Sequence, residues 1–288
     1  MSRIIKVAAA QTGSVESDDM LSMVPTACAM LREAASSGVK ILTFSELFLS
    51  PFFPNQLIED NDRFFTTPDS EPMMAIRDCA KECELALILP FGEAAPTGNY
   101  NSTLVLNANG EIVGSYRKTH IPAYFPNNKA GGTGSFEKFY FTPGGTLPVF
   151  DVDGVRLGIQ ICNDRLYPEA SRVLALQGAE VIFMPIAFSV YSDPEHRNSI
   201  WELALRSRAF ENGVYVVASN KVGMEGVRRH LGRSMIVDPR GTIVAEASDE
   251  QEELLVHEID LDAVSSMRKK FPWWRDRRPD LYGPIVVA

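Results

Sequence analysis

Cys162 closes the apolar run Val155 to Ile161 and stands just before the polar cluster Asn163-Asp164-Arg165. A β-branched run set off by the turn signal Asp153-Gly154 reads as a buried strand. The stretch from Tyr167 to Gln177 reads as a helix stopped by Gly178. A thiol where strand gives way to helix lies beside backbone N–H groups that hold negative charge, which suits a thiolate nucleophile and the oxyanion it makes. The competing reading is core packing, the common fate of an intracellular cysteine. Two further strand ends weigh against it. Ile41 to Ser45 delivers Glu46, and Tyr116-Arg117 delivers Lys118, with His120 two residues on. Alone, Glu46 reads as a solvated strand end and Lys118 as a surface charge. Together, a thiol, a carboxylate and an ammonium are the parts of a nucleophile, its base and an electrostatic helper.

The elements that must position these groups follow from periodicity and turn residues. Strands are expected at Ile4–Ala10, Lys40–Ser45, Leu85–Phe91, Val181–Ala187, Val214–Ser219 and Leu254–Ile259. Asn109-Gly110 between Ser102–Leu106 and Glu111–Tyr116 is a hairpin signal, and Pro239-Arg240-Gly241 marks another. Helices are expected at about Asp18–Ser37, after an Asp69 or Ser70 cap with Pro72 in the first turn, at Ser199–Asn212 and at Asp262–Lys270. Helices alternating with strands, together with antiparallel pairs, give an α/β architecture. Two stretches are irregular. Leu47 to Thr67 is rich in Phe and Pro, and its Phe48, Phe52 and Phe53 either wall a pocket or fill core beneath a long loop. Ala123 to Gly145 carries Gly131, Gly132 and Gly134 but lacks the lysine and spacing of a phosphate loop.

The motifs Phe44-Ser45-Glu46, Tyr116-Arg117-Lys118 and Ile161-Cys162-Asn163-Asp164 resemble those of the nitrilase superfamily of carbon–nitrogen hydrolases. The likeness is strongest to N-carbamoyl-D-amino acid amidohydrolases. Ser50 to Pro54, Phe136-Glu137-Lys138, Tyr140 to Gly144, Pro168-Glu169-Ala170 and Lys221 to Glu225 extend it nearly end to end. The resemblance implies a four-layer αββα sandwich forming one domain over residues 1–288, with the site at the strand ends. It also implies a homodimer or higher even oligomer in which the segment from about residue 271 meets a neighbouring subunit. That segment mixes Trp273, Trp274 and Tyr282 with arginines, a composition enriched at interfaces.

The same resemblance assigns the chemistry. Glu46 takes the proton of Cys162 as sulfur attacks the substrate carbonyl. Lys118 and the backbone N–H of Asn163 hold the oxyanion, and Glu137 lies beside the lysine and positions substrate. The implied substrate is a small amide or N-carbamoyl compound, and neither metal nor organic cofactor is required. Arg165 matches the first of two adjacent arginines that similar carbamoylases use on a substrate carboxylate, a paired, charge-assisted grip. The second position here is Leu166. Ala187-Phe188 replace a polar pair, and the histidine expected near Gly134 is missing. These departures keep open an amidase that ignores carboxylates. His120 either lines the site or bonds a loop, and Phe53 is the pocket candidate among the loop aromatics.

Composition narrows the classes. The chain has 288 residues, 45% hydrophobic and 23% charged, as expected of an ordinary globular protein. A formal net charge of −9 and no dense basic stretch beyond Arg275 to Arg278 argue against nucleic acid. No apolar run is long enough for a bilayer, and Ser2 to Lys6 leads straight into a strand, so the expected place is the cytoplasm. The four cysteines are Cys28, Cys79, Cys83 and Cys162. Cys79 and Cys83 share a helix face, but with scattered histidines they read as core rather than metal ligands. A non-catalytic binding module conflicts with the retained Glu46, Lys118 and Cys162. A redox sensor conflicts with the lack of a resolving cysteine near Cys162 in sequence.

Overall fold

The computed structural model describes residues 3–122, 135–190, 194–271, 273 and 275–287. Period-two burial builds its two main sheets. Strands β1 (Ile4–Gln11), β2 (Ile41–Phe44), β3 (Ala86–Ala95), β4 (Gly98–Leu106) and β5 (Ile112–Arg117) form the first, with β6 (Val149–Val152), β7 (Val155–Ile159) and β8 (Val181–Ile186) opening the second. After β9 (Ser189–Val190) come β10 (Tyr215–Asn220), β11 (Val222–Glu225), β12 (Arg228–Leu231), β13 (Met235–Val237), β14 (Ile243–Glu246) and β15 (Glu253–Asp260). The sheet orders are β15-β1-β2-β3-β4-β5 and β14-β13-β10-β8-β7-β6, with a small third sheet β11-β12-β9.

Alternation along each central strand explains the layering. Val7, Ala9 and Ile41 of the first sheet meet Val181, Phe183 and Val217 of the second in a core between the sheets. The intervening Ala8, Ala10, Leu42 and Phe44 face helices α1 (Val24–Ser36) and α2 (Glu71–Glu82). Ile182, Met184, Val216 and Ala218 face the outer side of the second sheet. There, after the single turn α3 (Glu137–Tyr140), lie α4 (Pro168–Leu176) and α5 (Pro194–Asn212); α6 (Asp262–Lys270) follows β15. A strand apolar on both faces must be covered on both, and the result is the expected helix–sheet–sheet–helix sandwich.

Some boundaries moved for local reasons. The first helix starts at Val24, with Pro25 in its first turn, because a separate 3-10 turn, Met20–Met23, is capped by the Asp19 side chain. Helix α5 begins at Pro194 rather than Ser199; proline is well suited to a first helical turn. Both hairpins form where expected, around Gly110 and Gly241, each with φ +78°. Cys79 packs in the α1–α2 layer with its Sγ 3.8 Å from the Cys28 carbonyl oxygen. Of the glycine-rich stretch, residues 123–134 lie outside the described residues, as does Trp274.

Candidate active site

Three strand ends meet where the two sheets face each other. The residue after Glu46 and Cys162 itself both adopt left-handed backbone, Leu47 at φ +50° and Cys162 at φ +47°. Such conformations cost a non-glycine residue on the order of 1–3 kcal/mol and cluster at functional sites. At Cys162 the chain leaves β7 and turns into a 3-10 segment, Cys162–Leu166, that leads to α4.

Glu46 is fully buried and each of its oxygens is held. Oε1 accepts from Lys118 Nζ at 2.8 Å and from Asn101 Nδ2 at 2.8 Å, while Oε2 accepts from the Ala187 N–H at 3.0 Å. The Cys162 thiol also acts on this carboxylate, helping to hold it ionised. Lys118, likewise buried, places Nζ 2.6 Å from Glu137 Oε2. One ammonium therefore bridges two carboxylates. Its position is fixed from behind, where Gly144 donates to the Lys118 carbonyl at 2.8 Å. A Cβ on Gly144 would come 2.1 Å from the Arg117 carbonyl oxygen, so only glycine allows that approach.

The charges sort by environment. Burial pushes Glu46 up, but Lys118, the thiol and Asn101 outweigh it and hold the carboxyl below its usual range. Burial, reinforced by Glu46, leaves Glu137 above that range despite Lys118. Burial opposes the charge on Lys118, yet its two carboxylates raise it well beyond an ordinary lysine. Burial, with Glu46 adding to it, pushes the Cys162 thiol up to about 11, against Lys118 and Arg165. At neutral pH the site thus holds a thiol beside an ionised carboxylate. It can transfer that proton as sulfur attacks a carbonyl, with a cation nearby for the oxyanion.

The remaining sequence candidates divide. Arg165 is 3% exposed and donates to the Cys162 carbonyl at 2.6 Å, its NH1 3.7 Å from Sγ. Among the described residues its guanidinium pairs with neither Asp164 nor Glu169, and its hydrogen bonds go to Cys162. Asn163 is half-buried and donates through Nδ2 to the His120 carbonyl at 3.0 Å. His120 sits at the margin, with Nδ1 2.8 Å from Asp164 Oδ1 and its ring stacked on Tyr167 at 4.0 Å. Phe53, expected as a pocket wall, is 2% exposed and fills core beneath the loop, stacked on Phe64 at 4.5 Å with Phe65, Tyr140 and Phe141 around it. Leu166 is 46% exposed at the surface.

Two carboxylates that lie inside matched motifs, but to which the sequence reading gave no role, brace the site. Asp164, fully buried, accepts from Tyr116 Oη at 2.6 Å, Thr119 Oγ1 at 3.1 Å and the backbone N–H groups of His120 and Ile161 at 2.9 Å each. It thereby ties the cysteine turn to the strand end that carries Lys118. Glu225 accepts from Lys221 Nζ at 2.9 Å, His230 Nε2 at 2.9 Å and the N–H of Phe52 at 2.8 Å, and Lys221 donates to the Ser50 carbonyl at 2.8 Å. This pins the Phe-rich loop just after Glu46. The charged Lys221 and Glu225, inside a segment otherwise apolar, were the available signal.

The four-layer fold with this constellation at its strand ends marks a hydrolase of non-peptide carbon–nitrogen bonds. The chain belongs to the carbon-nitrogen hydrolase family, whose model matches residues 6–269. It is 37% identical over 285 residues to an N-carbamoylputrescine amidase of Arabidopsis thaliana, covering 94% of this chain and 92% of that one. It is 32% identical over 272 residues to a citrullinase of Francisella tularensis, covering 88% and 89%. Among solved structures, a carbon-nitrogen hydrolase from Helicobacter pylori G27 matches with a TM-score of 0.90 at 28% identity, covering 100% of this chain and 99% of that one.

Proposed function

We propose that this enzyme hydrolyses an N-carbamoyl amino acid or a related ureido compound to the amine, carbon dioxide and ammonia. The observation that carries the reading is the Lys118 ammonium held between Glu46 and Glu137 beside the Cys162 thiol. Glu46 takes the thiol proton as sulfur bonds to the ureido carbon. Lys118 and the Asn163 N–H receive the negative oxygen. The adduct loses ammonia or the amine, protonated by Glu46, leaving the carbonyl carbon bound to sulfur. Glu46 then deprotonates a water that attacks this carbon, and the thiol is restored as the product departs. Glu137 keeps Lys118 in place and orients the substrate.

The substrate class draws support from relatives named for ureido substrates and from Arg165, a buried guanidinium at the nucleophile. One observation favours a second reading, an amidase on small amides that ignores carboxylates: Leu166 points to the surface where similar carbamoylases place a second arginine. An ammonia-release screen of N-carbamoyl amino acids, simple amides and nitriles decides. Turnover of the ureido series at least about tenfold faster than the amides upholds the first reading, and the reverse order replaces it with the second.

The active unit in this reading is one domain spanning 1–288, assembled as a homodimer or higher even oligomer in the cytoplasm. Cys28, Cys79, Cys83 and Cys162 are all unpaired, as suits a reducing compartment, and no helix among the described residues is long and apolar enough to cross a membrane. Trp273 rests on Phe210 of its own chain at 5.4 Å, but Leu281, Ile285, Val286 and Val287 beyond it stand exposed. Those side chains are the ones offered to a neighbouring subunit.

A further inference from the structure

Arg228 is the buried cation that the reaction scheme leaves unused. It lies at the start of β12 and is 7% exposed. Among the described residues its guanidinium makes a single hydrogen bond, from NH2 to the Ala187 carbonyl at 3.0 Å, and its Nε has no partner. The group sits 4.2 Å over the Phe52 ring. No carboxylate of the described residues forms an ion pair with it. Its neighbour Glu225 is already taken by Lys221, His230 and two backbone N–H groups. A buried charge without a counter-ion costs several kcal/mol and is normally paired. Burial works against its charge, and the carboxylates that favour that charge are Glu225, Glu46 and Glu137.

Arg165, beside the thiol, presents the same anomaly. It is held at the Cys162 carbonyl, its Nε is also without a partner, and its guanidinium lies 4.8 Å from the Phe188 ring. Consecutive residues thus link the two arginines: Ala187 accepts from Arg228, and Phe188 carries Arg165. The Ala187 N–H meanwhile holds Glu46, which places Arg228 one peptide unit from the catalytic base.

We propose that Arg228 supplies the second guanidinium of the substrate-carboxylate grip, replacing from β12 the arginine absent at Leu166. The inference rests on the carboxylate-bearing substrate class proposed above. Two buried cations lacking carboxylate partners favour an anionic substrate tail, and they disfavour the ammonium tail of a carbamoylated diamine. The rival role is purely internal, with Arg228 offsetting the shared charge of Glu46 and Glu137. That role would affect all substrates alike, whereas a substrate grip would affect only those with a carboxylate.

The test compares wild type, Arg228→Gln and Arg228→Lys on pairs matched except for the carboxylate: an N-carbamoyl amino acid against its carboxamide, and the monoamide of a dicarboxylic acid against the corresponding alkyl amide. Arg228→Gln is expected to lower kcat/KM for the carboxylate member by at least about tenfold, mainly through KM, while its neutral partner stays within about twofold. Arg228→Lys keeps the buried charge but not the fork-shaped donor set, so it should fall between. Should Arg228→Gln fail to fold, the Lys variant decides, with a selective rise in KM for the carboxylate member expected. Equal losses on both members, or a loss confined to kcat, overturn the proposal. Wild-type turnover of the amide pair alone would sink the ureido reading, yet the amide pair would still decide the role of Arg228.

Discussion

Lys118 Nζ stands 2.6 Å from Glu137 Oε2, and both groups are shut away from solvent. The ammonium that would meet the substrate oxyanion is thus aimed by a carboxylate that is not the base. Glu137→Gln should leave the fold intact, since Lys118 keeps its bond to Glu46, yet lower kcat by about 10²-fold or more. Steady-state kinetics with a circular-dichroism check would show this. A near-normal kcat/KM would reduce Glu137 to a structural ion pair.

The thiol and its base should respond in opposite directions to one change. Burial first, then Glu46, raises Cys162 to about 11. In the wild type, alkylation by iodoacetamide should therefore show no inflection below about pH 9. Glu46→Gln removes a negative charge, so the alkylation profile should move to lower pH while hydrolysis falls by several orders of magnitude. A profile that moves to higher pH would contradict the electrostatic account.

Asp164 is expected to matter as much to stability as to rate. Its carboxylate satisfies the hydroxyl of Tyr116 and the backbone of His120 and Ile161 at once. Asp164→Ala should cost about 3 kcal/mol or more, because buried donors lose a charged acceptor. Urea denaturation measures it. An unchanged midpoint would mean that the cysteine turn holds itself.

Acid sensitivity should trace partly to His230. Burial lowers its pKa to about 4, in spite of Glu225, so the folded state keeps it neutral while the unfolded chain binds a proton below about 6.5. Stability is therefore full above pH 6.5 and is lost as the pH falls towards 4. The loss is on the order of 3 kcal/mol from this group. Glu225, held well below its usual range, extends the trend to lower pH. His230→Gln keeps a donor for Glu225 and should flatten the thermal-stability profile between pH 6.5 and 4. An unaltered slope would assign the acid loss elsewhere.

The candidate trio and the layering were legible in the sequence because both are written in local pattern. Strand ends with alternating burial deliver Glu46, Lys118 and Cys162, and turn residues mark Gly110, Gly178 and Gly241. What escaped depends on contacts far apart in sequence. Arg228 is one of several charged residues between Glu225 and Arg233, and only its seat under Ala187 makes it distinctive. Asp164 reads as a polar loop residue until β5 and the cysteine turn close around it. Phe53 misled for the converse reason: a Phe-rich loop has the same composition whether its rings face a pocket or fold inward on one another.

The central claim is that the reaction proceeds through a bond between Cys162 and the substrate carbonyl carbon. Rapid acid quench during the first turnover of an N-carbamoyl amino acid or of the best amide, followed by peptide mass mapping, tests it directly. The expected result is an adduct on the peptide containing Cys162, equal in mass to the substrate less its departed ammonia or amine. It should be absent from the inactive Cys162→Ala variant. A Cys162→Ala protein that turns over substrate at the wild-type rate, or an adduct on another residue, would contradict the account.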